Sequence, residues 1–335
     1  MNATDVEKPD RLKGFLKDQL RNIAPVFTLL ALVIFFAVAS ASFFTMVNFM
    51  NILSQISITA MIAVGLTYVI LTAEIDLSVA AVANAVGITI AYFTLQPDYV
   101  NIANLPLPGI IAIVLTLLTA LCFGLITAFG VTWIGIPSFI MTLAIMQIAN
   151  GVSALLVRGQ IAYSYPDLIT TLGSGSIFGI RWTIIVAIIF LGVGHLVLTY
   201  TRFGRYIYMT GGNREAAEYS GVNVKFIIGS VMVISAMCSG IAGMLAVAYF
   251  GSAQQNQFDS YLLDAIAAVV VGGTSLFGGR GGIGNTIIGL LVLGVLNNGL
   301  DHIQIDSFLK ILIRGLILLS ALIINVYAQK LKESE

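Results

Sequence analysis

The chain is short of charge. Only 10% of its 335 residues are Asp, Glu, Lys or Arg, against about 25% in soluble domains. Sixteen bases balance sixteen acids, so no positive excess points to a nucleic-acid partner. There are two cysteines, Cys122 and Cys238, both inside apolar runs. They are too few for a disulfide framework or a cysteine zinc site and read as small buried hydrophobes. His195 and His302 stand far apart, with no metal-ligand constellation around them. The short alternating segments of a membrane β-barrel are missing as well.

What fills the chain is apolar. It is 58% hydrophobic, with mean hydropathy +0.98. Its apolar runs of about 17–25 residues suit a hydrocarbon core of ~30 Å, which defines an all-α polytopic membrane protein. Ten spans are expected: 24–44, 52–73, 77–95, 109–131, 137–157, 182–200, 226–250, 261–277, 283–300 and 308–326. Residues 1–21 carry five bases and four acids. The run after them exceeds the ~7–15 residues of a signal-peptide core, so it reads as a retained first helix.

Placing the N-terminus in the cytoplasm gives twelve bases in inside segments and two, Arg158 and Arg181, outside. Both termini are then cytoplasmic. The domain division is an N-terminal segment 1–23, one transmembrane domain 24–326 and a tail 327–335. A weak internal repeat is visible. Asp76 precedes Ala80-Ala81-Val82 and Asp264 precedes Ala267-Ala268-Val269, in spans of opposite direction, as in inverted-repeat transporters. The spacing differs by one residue, and chance similarity between apolar helices is an equal rival.

Charge gathers in one internal place. Between the polar tips lie nineteen charged residues, and six of them fall in 201–225: Arg202, Arg205, Arg214, Glu215, Glu218 and Lys225. Arg202 and Arg205 close span 6, where bases anchor to head groups. Gly211-Gly212 suggests a turn. Asn213 can cap a helix whose first turn holds Glu215, Ala216 and Ala217 favour it, and Gly221 stops it. The predicted helix is about two turns, roughly 12 Å, and too short to stand without packing. An ordinary surface helix is the plain reading; a grip for a soluble partner is the functional one.

The stretch 279–286, GRGGIGNT, nearly matches the P-loop pattern GxxxxGK(S/T). Asn285 stands where the phosphate-contacting Lys belongs, and no strand–turn–helix context surrounds it. It reads as a tight turn with glycines at φ > 0. With no ATP site on the chain, energy must come from a partner or an ion gradient.

Charges at the spans form the second set of candidates: Glu74, Asp76 and Ser78, then Asp264 and Arg314. A charge at the bilayer centre costs about 2.5–3.5 kcal/mol on insertion scales, so such groups face a cavity or a partner. They either line a translocation path or cap helices. Lys310 and Arg314 share a helix face, and the deeper Arg314 needs an acid, with Asp264 the candidate. In span 7, Ala236 with Gly240 and Ser239 with Gly243 are spaced for close helix packing.

Four ordered stretches carry a resemblance: AVGLTYVILTAEIDLSVA at 63–80, IPSFIMTL at 136–143, FGRYIYMTGGNREAAEYSGVNV at 203–224 and LDAIAAVVVGGTSLFGGRGGIGNTIIGLLVLGVLNN at 263–298. Together they resemble bacterial ABC importer permeases of the ribose/xylose/arabinose/galactoside class, from about residue 24 to 326. The resemblance implies a non-enzymatic permease of the bacterial inner membrane, in contact with lipid and acting as a homodimer. It also implies a cytoplasmic ATPase docked on the 201–225 loop, and a periplasmic binding protein that delivers a monosaccharide-like solute. No cofactor is expected on the chain, since the partner hydrolyses ATP. Arg205, Asn213, Glu215 and Glu218 become candidates for polar ATPase contacts. Ala216 and Ala217 become a flat packing face, with Gly211, Gly212 and Gly221 shaping the loop. Two departures stand out. Ala73-Glu74 replaces a usual pair of glycines, and 254–259, QQNQFD, lacks the family's proline; the latter is expected outside, where a binding protein docks. The rivals are a branched-chain amino-acid-type permease, an ion-coupled secondary transporter using Asp76 or Asp264, and a passive channel, which the charged loop disfavours.

Overall fold

A computed structural model describes residues 25–95, 104–163 and 165–333. The segment 1–23, Asp98 of the 96–108 loop, the side chains of Lys330 and Lys332 and the end of the tail lie outside them. Helix α1 (Pro25–Ala39) leads into α2 (Met46–Leu71), which Thr45 caps by accepting from the Asn48 amide. Ala73, left-handed at φ 60°, closes α2, and residues 74–78 form an open break before α3 (Val79–Thr94). Pro108 and Pro137 precede α4 (Gly109–Phe129) and α5 (Ser138–Val157), at helix starts where a missing N–H costs nothing. α4 continues through one π turn, Gly130–Ile134, until Gly135 ends it at φ 82°.

The rest follows as α6 (Asp167–Ser174), α7 (Trp182–Tyr200), α8 (Arg202–Gly212), α9 (Arg214–Tyr219), α10 (Val224–Phe250), α11 (Asp259–Val271), α12 (Ile283–His302) and α13 (Ser307–Glu333). Two short antiparallel ladders join loops. β1 (Ala162–Tyr163) pairs with β4 (Ser252–Ala253), Ala162 opposite Ala253, and β2 (Ser176–Ile177) pairs with β3 (Ile180–Arg181).

α2 and α10 form the centre. α2 is buried at every position from 60 to 71. α10 packs on α2, α3 and α4, and its small residues permit the approach. A Cβ on Gly243 would stand 1.9 Å from the Ala83 carbonyl oxygen of α3, and one on Gly240 would stand 2.4 Å from the Ala120 Cβ of α4. The spacing read from the sequence is thus a packing device. Around this centre, α4, α5 and α7 expose Ile110, Leu118, Phe139, Leu155, Ile188 and Leu196. Such an apolar belt suits lipid, not water.

Among the described residues, six helices are long and apolar enough to cross a membrane alone: α2, α4 with its π turn, α5, α7, α10 and α12. The sequence reading expects ten. Each expected span holds one helix, but α1 and α3 are shorter, and α11 stops at Val271. The 261–277 span is corrected there: Gly273 turns at φ 105°, and the glycine-rich stretch 272–282, with Leu276 and Phe277 its two large apolar residues, is a turn. α13 runs through 333, so position 326 is not a helix end. α8, read as loop, is a helix. Cys238 is buried as expected, whereas Cys122 faces outward on α4.

Candidate functional site

The charged insertion folds as two helices in series. Thr201 starts α8 by accepting from the Gly204 amide at 3.1 Å. Gly204, Ile207 and Thr210 turn inward. Gly211 and Gly212 end this helix and are not the turn expected of them. Gly211 is needed for approach: its missing Cβ would stand 1.8 Å from the Leu71 carbonyl oxygen. The chain breaks instead at Asn213, extended at φ −159°, whose Oδ1 accepts from the Ala216 amide at 2.9 Å. That is the predicted cap. α9 ends as predicted at Gly221, φ 82°, and the Val222 amide reaches back to the Ala217 carbonyl at 3.0 Å.

Arg205, Asn213, Glu215, Ala216 and Glu218 are exposed. Ala217 is 1% exposed and packs with Val222, Val224 and Ile227. The two alanines therefore do not share one outward face: Ala216 is available to a partner and Ala217 anchors α9 to its own protein.

α8 and α9 rest on two turns. The first is the α2–α3 break. Arg214 Nη2 meets Glu74 Oε1 at 2.5 Å. The second is the glycine turn before α12, with Gly278, Gly279, Gly281 and Gly282 all at positive φ, as the sequence suggests. Its Gly279 amide donates to the Leu71 carbonyl at 2.9 Å, joining the two turns. Tyr208 of α8 donates from its hydroxyl to the Gly281 carbonyl at 2.9 Å. Burial raises the Tyr208 phenol pKa, so it stays a protonated donor. The P-loop-like turn is thus filled by α8. Tyr208 escaped the sequence reading; its signal was the inward stripe Gly204, Ile207, Gly211 at helical spacing.

The path candidates fall into separate groups with different partners. Glu74 is turned to Arg214. Asp76, 2% exposed, accepts at Oδ1 from the Ser78 amide (2.9 Å) and hydroxyl (2.6 Å), and at Oδ2 from Ser235 of α10 (2.7 Å). Ser138 and Thr142 of α5 accept from the Ile75 and Leu77 amides at 3.2 and 3.1 Å. Hydroxyls from α5 and α10 thus satisfy the broken backbone and its carboxylate. Ser78 makes no side-chain cap to α3, and Asp76 accepts from the Ser78 amide just before that helix. Asp264 and Arg314 form the expected pair, Oδ2 to Nη1 at 3.4 Å, and Arg314 Nε donates to Asn297 at 2.8 Å. Lys310 pairs with Asp301. Asp264 sits inside α11 while Asp76 precedes α3, so the two repeat motifs occupy different local settings. On the loop after α10, buried Asn84 of α3 bonds Gln254 O and Asn256 N at 3.0 and 3.1 Å. No group of three or more potential metal ligands exists among the described residues.

A helical bundle with an apolar belt, a broken helix in its core and a polar two-helix insertion defines a multi-pass membrane permease. The chain belongs to the family described as branched-chain amino acid transport system / permease component, whose model matches residues 48–322. It is 37% identical over 305 residues to the ribose import permease protein of Haemophilus influenzae, covering 89% of this chain and 92% of that one. It is 36% identical over 318 residues to the ribose import permease protein of Escherichia coli K12, covering 93% and 95%. The L-arabinose transport system permease protein of Escherichia coli K12 is 33% identical over 301 residues, covering 89% and 88%.

Proposed function

We propose that this chain is the permease subunit of an ATP-driven importer, forming the translocation path for a monosaccharide-like solute. The observation that carries it is the seating of α8 and α9 on both the α2–α3 break and the glycine turn before α12. A partner that moves α9 moves both turns. The sugar class is favoured over branched-chain amino acids by the relatives named for ribose, allose, galactose and arabinose transport.

In this reading α1–α5, α7 and α10–α13 cross the inner membrane, with both termini and α8–α9 in the cytoplasm, as the distribution of bases favours. A cytoplasmic ATPase grips the exposed Arg205, Asn213, Glu215, Ala216 and Glu218. Its closure rocks α9, and Glu74 and Gly211 pass the motion to the helix core. A second copy completes the path, and Asp264 and Arg314, both partly accessible, face it. Asp76 and Ser78 brace the break. A periplasmic binding protein delivers solute to the outer face, near 254–259. The test is uptake of labelled monosaccharides into proteoliposomes holding permease, ATPase and binding protein. Uptake should require ATP and be abolished by vanadate; uptake driven by an ion gradient alone would overturn the reading.

A further inference from the structure

The far end of α2 carries a second polar feature. Asn48, Asn51 and Gln55 follow one another at helical spacing along its first turns, and α12 brings Asn298, Asp301 and His302 opposite them. Arg181 and Tyr249 close the side, leaving an open cleft of about 310 Å³. By helix rise it lies roughly 30 Å along α2 from the Leu71 junction, a membrane thickness away.

The back wall is fixed. His302 Nδ1 meets the Ser42 hydroxyl and Nε2 meets Asn48 Oδ1, each at 3.0 Å. Asn48 Nδ2 donates to the Phe43 carbonyl and to Asn298 Oδ1, each at 2.8 Å. The front is different: among the described residues, the side chains of Asn51 and Gln55 have no hydrogen-bond partner. Asp301 is paired with Lys310. Arg181, at the side, donates to the Tyr249 hydroxyl at 3.3 Å with its guanidinium 5.7 Å from that ring, and has no acidic partner among the described residues. What the cleft offers a visitor is therefore amide, donor and acceptor in one side chain, on a preorganised wall.

We propose that this cleft is a binding subsite for an uncharged polyhydroxylated solute of single-ring size, contacted by Asn51 and Gln55. A hydroxyl both donates and accepts, which matches an amide edge, and the two free amides stand at the front of the cleft while its one unpaired cation, Arg181, is held against Tyr249 at the side. The volume sits at the lower edge of the ~300–1,000 Å³ of small-molecule clefts, room for one sugar ring. The proposal rests on the sugar-importer reading above, and adds where on this chain the solute is held.

The probes are D-ribose, L-arabinose, D-allose and D-galactose. The permease alone, in nanodiscs, should give saturation-transfer signals from at least one of them, and Asn51→Leu/Gln55→Leu should remove those signals. In the complete complex with ATPase and binding protein, the same variant should raise the uptake KM roughly tenfold, as expected for two lost hydrogen bonds. The milder Gln55→Ala, at an exposed position, should raise it about threefold and serves if the double variant fails to insert. Unchanged uptake and unchanged signals in both variants would overturn the subsite and leave the importer reading standing. No ATP-dependent uptake of any probe by the wild-type complex would overturn both.

Discussion

At the scale of single residues, Ala73 and Glu74 have separate consequences at the end of α2. Ala73 adopts φ 60°, a conformation that costs a residue with a Cβ roughly 1–2 kcal/mol and a glycine nothing. Glu74 then faces Arg214 across the junction. Arg214 is half exposed, so the pair adds little stability, on the order of 1 kcal/mol or less. It ties the start of α9 to the break after α2. Glu74→Arg should cut uptake per ATP hydrolysed several-fold without loss of folded protein, and Arg214→Glu should do the same. The reversed pair, carrying both changes, should recover at least half. Equal defects in all three variants would show that the pairing itself does not matter.

At the scale of elements, α9 is six residues long, about 9 Å, and holds its shape through its Asn213 cap and buried Ala217. The two alanines make separable tests. Ala216→Trp projects outward and should abolish ATP-driven uptake while insertion and thermal stability stay unchanged; Glu215→Arg should act likewise. Ala217→Trp has no space and should lower the Tm. Normal transport by Ala216→Trp with its ATPase still bound would overturn the proposal that the ATPase drives transport by rocking α9.

Much of this element was legible in sequence, because caps and stops are local chemistry: Asn213 and Gly221 declare themselves. α8 was not. Its glycines look like turn formers, but Gly211 is selected by the approach of the Leu71 carbonyl, a contact between residues far apart in the chain. The Arg314–Asp264 pair was legible because a base within an apolar span needs an acid and few were on offer. The destination of Glu74 was not, since nothing local says which of two turns α9 will touch. Hydropathy located each helix core but misjudged the end of α11, where Leu276 and Phe277 lie beyond a pair of glycines that already turn the chain.

At the scale of the whole molecule, the polar junction and the polar cleft lie at opposite ends of α2. The proposed orientation makes a direct prediction. In a background lacking Cys122 and Cys238, Phe178→Cys, at a fully exposed site, should react with a membrane-impermeant thiol reagent on intact cells. Tyr219→Cys, at a 93% exposed site on α9, should react only after permeabilisation. Labelling at 219 in intact cells would invert the topology and remove the ATPase from the picture.

The π turn that ends α4 has a consequence for how this chain can vary in length. A π turn spends one more residue per revolution than an α turn. A relative lacking one residue between 129 and 135 can rewind that turn as α-helix and leave Pro137 and α5 in place. The same deletion in α2 or α10 would rotate every later side chain by about 100° and bury the wrong face. Single-residue insertions and deletions in this architecture should therefore collect at the end of α4 and be absent from the two central helices.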